Sequence, residues 1–140
     1  MASANFTNLT DFLAKASVNF SSGTFKALLV SVAPSEANLD AWVNRSDVTN
    51  ECSGAGYSTG GAAVTATVGS VDTTNNRLSV TYSNPSWSTA TLSAVGAIVY
   101  LSTGVAANDK LLHWVDFGAT VVSTAGTFAV TFSAPFYINR

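Results

Sequence analysis

The feature that most limits how this chain can fold is a two-residue alternation of apolar and small polar side chains. After residue 61, Val64, Ala66 and Val68 alternate with two threonines. Successive side chains of a β-strand point to opposite faces, so this period of two predicts a strand with one buried face. Parallel strands need long crossovers, usually helical, and no helical pattern follows residue 61. The alternation therefore predicts antiparallel sheets.

Further strands are predicted by the same pattern up to the end of the chain. Residues 78–82 form the partner of the first strand, and the turn between them contains Asn75 and Asn76, which tolerate the positive φ of a hairpin. The other predicted strands are residues 87–92, 97–102, 111–117, 119–123, 127–133 and 136–138. About eight short strands indicate a mainly β fold, an antiparallel β-sandwich of jelly-roll-like type.

The N-terminal third has a different pattern. Apolar residues recur at helical spacing in residues 8–16, which predicts a short amphipathic helix. Residues 25–32 are almost entirely apolar and predict a strand buried on both faces, and a second helix is predicted from Ser35 to about Val48. We expect one domain, residues 1–140, in which residues 1–24 form an N-terminal arm and short helix.

Low charge restricts the classes of partner. Six Lys and Arg against eight Asp and Glu give a net charge of -2, and the basic residues are scattered, which disfavours nucleic acid. No apolar run approaches the roughly 20 residues of a membrane span, and residues 1–5 lack the basic start of a signal peptide. We expect no nucleic-acid partner, no membrane and no Sec export. A chain with few charged residues is poorly protected against self-association. We therefore expect part of its apolar surface to contact a partner.

Groups that could catalyse a reaction are scarce. The single histidine, His113, precedes Asp116 by three residues, and on a regular strand these side chains point to opposite faces. The lone Cys52 excludes an internal disulfide and has no basic neighbour in sequence to activate it. We therefore expect no enzyme; a hydrolase that uses His113 is the third-ranked interpretation.

Metal and phosphate sites are also poorly supported. Two pairs of carboxylates stand four residues apart, Glu36 with Asp40 and Asp47 with Glu51. Without a histidine they are weak zinc ligands. A weak Ca²⁺ site in the turn 72–76 stays open, although Asp and Asn also favour turns for backbone reasons. The glycine-rich segment 54–61 lacks the Lys-Ser/Thr of a phosphate-binding loop. We expect no metal and no cofactor.

The tryptophans leave two interpretations open. Trp42, Trp87 and Trp114 either fill the core or form a platform on which sugar rings stack. The platform would make the chain a carbohydrate-binding or receptor-binding β-sandwich module, which is the main alternative function.

Several segments in order resemble a family of small tailed-phage virion proteins. They are residues 25–30, 54–61, 84–87, 96–100, 114–118 and 128–132, with the sequences FKALLV, GAGYSTGG, NPSW, GAIVY, WVDFG and FAVTF. The resemblance covers most of the chain after Thr24 and is nearest, in length and strand content, to jelly-roll cement (decoration) proteins of short-tailed phages. One departure is the segment 101–104, where relatives often have an Asn-Asp turn.

The resemblance implies a structural role. It implies a protein made in the host bacterial cytoplasm and placed on the outer surface of the virion capsid, where a homodimer clamps neighbouring major capsid proteins. It implies no catalytic residue and no cofactor. In this setting, the alternative module would belong to a phage tail fibre or spike.

Two terminal segments are the predicted contact surfaces, because they are more apolar than a solvated tail needs. The candidate interface residues are Phe6, Leu9 and Phe12 near the N-terminus, Trp42 in the second helix, and Phe136, Tyr137 and Ile138 in the C-terminal segment 136–140. Deleting residues 1–10 is expected to weaken capsid attachment while leaving the fold intact.

Overall fold

The computed structural model describes residues 1–139 and is mainly β. The strands are β1 (Ala4–Asn5), β2 (Phe25–Val30), β3 (Ala62–Val64), β4 (Ala66–Asp72), β5 (Arg77–Tyr82), β6 (Ser86–Leu101), β7 (Lys110–Ala129) and β8 (Phe136–Asn139). The helices are α1 (Leu9–Ala14), α2 (Glu36–Ala41) and a 3-10 turn (Arg45–Asp47). The predicted fold class is confirmed, with about eight strands and two short helices in the N-terminal third.

The strands form two antiparallel sheets. One has five strands in the order β1-β7-β6-β2-β3, and the other has three in the order β4-β5-β8. The chain passes between the sheets three times, from β3 to β4, from β5 to β6 and from β7 to β8. The first passage takes a single residue, Thr65, between Val64 and Ala66. These passages join the two sheets into one sandwich.

The five-stranded sheet is covered on both faces. An inter-sheet cluster, which includes Phe12 of α1, Ala27 of β2 and Tyr82 of β5, fills the space toward the three-stranded sheet. An outer cluster on the opposite face includes Leu28 of β2, Leu39 of α2 and Trp114 of β7. Five of the six residues of β2 are therefore buried, which is why its sequence is apolar without alternation.

The face that meets the three-stranded sheet continues past it into a third, distal cluster. Leu29 lies two residues after Ala27 and joins Trp87, Leu92 and Phe128 there. Cys52 belongs to this cluster and Tyr57 packs against it, so the glycine-rich segment 54–61 lies over β6. The Thr91 amide donates to the Ala55 carbonyl at 3.0 Å.

The predicted hairpin forms where the sequence places it. Strands β4 and β5 pair, and Asn76 has φ +54° in the turn. The Asp72 carboxylate accepts from the amides of Thr74 and Asn75, both at 3.1 Å. Asp72 and the asparagines are therefore present for the turn itself.

Two strands are longer than predicted. The segments predicted at 87–92 and 97–102 are one strand, β6, and those at 111–117, 119–123 and 127–133 are largely one strand, β7. Register shifts interrupt their pairing, with Thr89 at φ +51° and Ala125 at φ +47°. A bulge changes which face a side chain points to while the strand continues, so the alternation breaks and resembles a strand end.

The second helix is shorter than predicted, because α2 ends at Ala41 rather than near Val48. Ser35 and Asn38 begin it with reciprocal side-chain and backbone hydrogen bonds. Beyond Ala41, the Asp47 carboxylate accepts from the amides of Val43 and Asn44, both at 2.9 Å. Those bonds hold an extended backbone followed by the 3-10 turn, which competes with continuation of the helix.

Candidate functional site

His113 is a buried core residue. The register shift between Val99 and Tyr100 leaves Leu112 without a cross-strand partner, and Leu112 and His113 are both fully buried. The Nδ1 atom of His113 lies 2.7 Å from Asn5 Oδ1, and its ring stacks on Phe136 with centroids 4.1 Å apart. Burial lowers the pKa of His113 to about 3, so the ring is neutral at pH 7.

Asp116 is not a partner of His113. Its Oδ1 accepts from the Gly118 amide at 2.9 Å, and its Oδ2 lies 3.9 Å from the Met1 amino group. Within residues 1–139, His113 therefore has no carboxylate to orient or charge it, and this geometry does not favour a hydrolase.

Cys52 and the glycine-rich segment are structural. The Cys52 thiol lies 3.2 Å from the Ser93 carbonyl, and burial raises the pKa of Cys52 to about 11, so the thiolate is scarce. Glu51 accepts from the Tyr57 hydroxyl at 2.7 Å and from the Gly60 amide at 2.5 Å. A carboxylate therefore occupies a backbone donor that an anion would need.

Two further carboxylates, those of Asp40 and Asp109, are also engaged within the chain. Asp40 accepts from the Thr7 hydroxyl at 2.5 Å. The fully buried Asp109 accepts from Arg45 Nε at 2.8 Å and from the Thr103 hydroxyl at 2.8 Å. Burial alone would raise the pKa of Asp109, but the bonds from Arg45 and Thr103 outweigh it and hold that pKa below its ordinary value.

Within residues 1–139 no cluster of three or more His, Cys, Asp or Glu side chains has an arrangement that would hold a metal ion. Over the same residues, no helix combines the length and apolar character needed to cross a membrane.

Two of the three tryptophans are excluded as a sugar platform. Trp114 is fully buried in the outer cluster, and Trp87 is buried in the distal cluster against Phe128. Trp42 is half-buried and packs against the outer cluster. The core interpretation is correct for Trp87 and Trp114, because both lie on apolar faces of the five-stranded sheet.

The N-terminal interface residues need correction. Phe6, Leu9 and Phe12 are 1%, 3% and 5% exposed, so the chain's own core covers them. The Phe6 amide donates to the Leu112 carbonyl at 3.0 Å, and β1 pairs with His113 and Trp114 of β7. The apolar residues of this segment are thus present for packing, and deleting residues 1–10 would remove part of the fold.

The C-terminal interface residues are half-buried in β8. Phe136 and Ile138 pack against the inter-sheet cluster, while the Tyr137 ring lies under the Arg77 guanidinium at 3.7 Å. Arg140, the last residue of the predicted surface, lies outside the described residues.

A half-open cavity of about 560 Å³ lies beside β1 and β7. It is lined by β1 and the residue before it, by the middle of β7, and by residues 129–137, which lead from the end of β7 into β8. Its apolar wall consists of Val115, Phe117, Val121, Ala129, Val130, Phe132, Ala134, Pro135 and Phe136. Among the residues lining it in the described part of the chain, Asp116 alone carries a charge.

The C-terminal part of the chain that lines this cavity is uncharged. No Asp, Glu, Lys or Arg stands between Asp116 and Arg140. Val121, at the cavity, is 41% exposed. The next residue, Val122, is 65% exposed but belongs to a separate pocket with Cys52 and Thr91, since successive side chains of a strand point to opposite faces. We call the cavity, with Val121 in its wall, the β7 site.

Sequence reasoning named two residues that line the cavity, Phe136 and Tyr137, but missed the rest of the β7 site because its walls come from distant parts of the chain. Ser3 and Phe132 are far apart in sequence, and only the pairing of β1 with β7 brings the N-terminal segment to this end of the sheet. One signal was available, since the segment 117–139 lacks charge and yet is not a continuous apolar run.

No protein-family model, no curated protein sequence and no solved structure matches this chain.

Proposed function

We propose that this chain is a structural virion protein of a tailed phage, a cement protein that binds the outside of the capsid and clamps neighbouring major capsid proteins. The motif order from residue 25 onward suggests the family. The β7 site is the observation that supports a binding role, because three half-buried phenylalanine rings and a single charged residue meet in one half-open cavity on a well-packed sandwich. Surfaces of this kind are more common at protein contacts than on a face that stays in water.

The sandwich suits a clamp because its binding residues stand on a rigid support. Val121 pairs with Ala94 of β6, and two residues further along β6, from Gly96 to Leu101, the strand pairs with β2. A rigid support limits the side-chain and loop entropy lost on association. A protein held by two subunits at once also gains effective affinity from the linkage, so each contact need only be modest.

The test is attachment to empty capsids assembled without this chain. Purified protein is mixed with the capsids, and the bound fraction is measured by sedimentation over a range of protein concentrations. We expect saturable binding with a fixed number of copies per capsid, and a higher temperature of capsid disruption once the sites are filled. Capsids that neither bind the protein nor gain stability would contradict the proposal.

A homodimer is part of the same proposal, and size-exclusion chromatography with light scattering measures it directly. We do not propose the carbohydrate-binding or receptor-binding module, because Trp87 and Trp114 are buried.

A further inference from the structure

We propose that two copies of the chain pair through the edge of β4, so that their three-stranded sheets join into one antiparallel sheet of six strands. The inference rests on the homodimer of the proposed function and names its surface. It is drawn from the unpaired backbone of β4, from the positions of Val68 and Val71, and from the symmetry of the residues around them.

Strand β4 is the longest of the strands that end a sheet. Over residues 1–139 no strand pairs with its outer side. The other strands at sheet ends are short, with two residues in β1, three in β3 and four in β8. The Asn5 side chain also donates to the Tyr137 carbonyl of β8 at 3.1 Å. An unpaired edge of seven residues, as in β4, is a template for another strand.

The backbone of β4 has donors and acceptors that point away from β5. The Ser83 amide donates to the Thr65 carbonyl at 3.0 Å, next to the first pair of the two strands. Antiparallel partners alternate between bonded and unbonded pairs, so Ala66 and Val68 direct their amides and carbonyls to the outer side. A strand placed along that side would form hydrogen bonds with them.

A bulge places two exposed valines on one face of this edge. Val68 lies opposite Val80 and Val71 opposite Leu78, with a register shift between the two pairs. Val80 and Leu78 share a face because they are two residues apart, and the extra residue in β4 puts both valines on that face as well. Val80 is fully buried in the inter-sheet cluster, whereas Val68 and Val71 are 38% and 71% exposed. The apolar face therefore continues beyond the part that the chain itself covers.

The residues around the bulge are complementary to a second copy of themselves. When two β4 strands run antiparallel about a twofold axis between Gly69 and Ser70, Val68 of each copy lies opposite Val71 of the other. Opposed β-branched side chains pack against each other across a strand pair. A twofold dimer requires a self-complementary surface of this kind.

Charge does not oppose this pairing. Residues 66–71 carry no charged side chain, and Asp72 lies opposite Thr67 of the second copy. The paired strands therefore bring no like charges together, which would destabilise the dimer. An edge of seven residues is expected to bury less than the roughly 800 Å² per partner of a standard interface, so we expect a dimer that dissociates at micromolar concentration.

The first experiment measures the molar mass of the complete chain by size-exclusion chromatography with light scattering, over a range of concentrations. We expect a monomer–dimer equilibrium. Val71→Lys puts a charge on the β4 edge and should raise the dissociation constant of the dimer by more than about tenfold. Val32→Lys makes the same change at a 62% exposed position outside that edge and should leave the constant unchanged. Unfolding midpoints of both variants are measured first.

The second experiment tests the register. Directly opposed Cα atoms of antiparallel strands lie about 4.5–5.5 Å apart, a distance that a disulfide spans. Val68→Cys and Val71→Cys are made as separate proteins, and oxidation of their mixture should give more cross-linked dimer than oxidation of either protein alone. In each protein alone, the introduced cysteines of the two copies are about three residues apart along the strands, or about 10 Å. Equal yields would contradict this register.

Capsid attachment of the same proteins separates the inference from the proposed function. An unmodified chain that stays monomeric, or a Val71→Lys variant that dimerises like the unmodified chain, would overturn the inference. Saturable capsid binding in either case would leave the cement role standing. A dimer that meets both expectations and yet does not bind capsids would contradict the cement role and leave the β4 interface in place.

Discussion

The protonation of His113 is coupled to folding in the acidic pH range. Its ring is buried among aromatic rings, and no charged group contacts it in the described part of the chain, so the native state holds it neutral. Its pKa falls from 6.5 to about 3 on folding. Between these values the unfolded chain binds the additional proton, so stability is present above pH 6.5 and is lost as the pH falls below it.

We therefore predict that the free energy of unfolding falls by about 2–3 kcal/mol from about pH 7.5 to about pH 4.5, at about 1.4 kcal/mol per pH unit in the acidic part. Urea unfolding at several pH values measures it. His113→Phe keeps a ring against Phe136 and should remove most of this slope. Carboxylates that titrate in the same range are common to both proteins and cancel in the comparison. Equal slopes in the two proteins would contradict the assignment.

Gly61 is required for a close approach of two backbones. It has φ +73°, and a Cβ atom added there would lie 1.9 Å from the Ala27 carbonyl oxygen of β2. Gly104 has a similar φ of +88°, but a Cβ there meets nothing within 4 Å. Alanine substitutions at Gly61 and Gly104 therefore distinguish the cost of steric overlap from the cost of backbone strain alone.

Gly104→Ala is predicted to cost about 1–2 kcal/mol, the strain of a left-handed residue with a side chain. Gly61→Ala adds an overlap with a central strand and is predicted to cost at least about 3 kcal/mol. Urea unfolding of the two variants gives the difference. Similar losses would mean that the segment around Gly61 moves away from β2 at little cost.

At the scale of elements, the N-terminal segment is part of the sandwich. Phe6 is 1% exposed and packs in the outer cluster with Leu39 and Trp114. We predict that Phe6→Ala lowers the free energy of unfolding by about 3–5 kcal/mol. Val122→Ala, at a 65% exposed position, should change it by less than about 0.5 kcal/mol. An interface residue would behave like Val122 in the isolated chain, so a small effect of Phe6→Ala would restore the original interpretation.

The elements predicted correctly are those whose pattern depends on local structure. The hairpin around Asn75 and Asn76 and the apolar strand β2 follow from turn chemistry and from burial on both faces. The extents of β6 and β7 were not predictable, because bulges at Thr89 and Ala125 break the alternation without ending the strand. The end of α2 depends on the Asp47 side chain, which competes with the helix through contacts that periodicity does not show.

At the scale of the whole molecule, the sequence predicted the sandwich, but three residues that it assigned to a contact surface, Phe6, Leu9 and Phe12, are buried in the chain's own core. An apolar terminal residue such as Phe6 has the same signature whether it packs on its own chain or on a partner. The β7 site combines the segment 3–5 with the segment 115–137, and no local pattern indicates that they meet. The low charge of this site could be predicted from the sequence, because Asp116 precedes a stretch without charged residues.

The same packing predicts that the whole sandwich unfolds in one step. Val115 and Phe132 pack against both the inter-sheet and the distal cluster. Leu28 and Leu29, adjacent in β2, belong to the outer and the distal cluster. Because shared residues and strands connect the three clusters, no cluster can be exposed without disrupting another.

Trp87 and Trp114 report on different clusters and so test this directly. One variant keeps Trp87 alone (Trp42→Phe with Trp114→Phe), and the other keeps Trp114 alone (Trp42→Phe with Trp87→Phe). In each variant the fluorescence transition in urea is expected to coincide with the far-UV circular dichroism transition of the same protein. If the Trp87 fluorescence changes at lower urea than the circular dichroism, the distal half of β6 and β7 unfolds separately, and the rigid support proposed for the β7 site is absent.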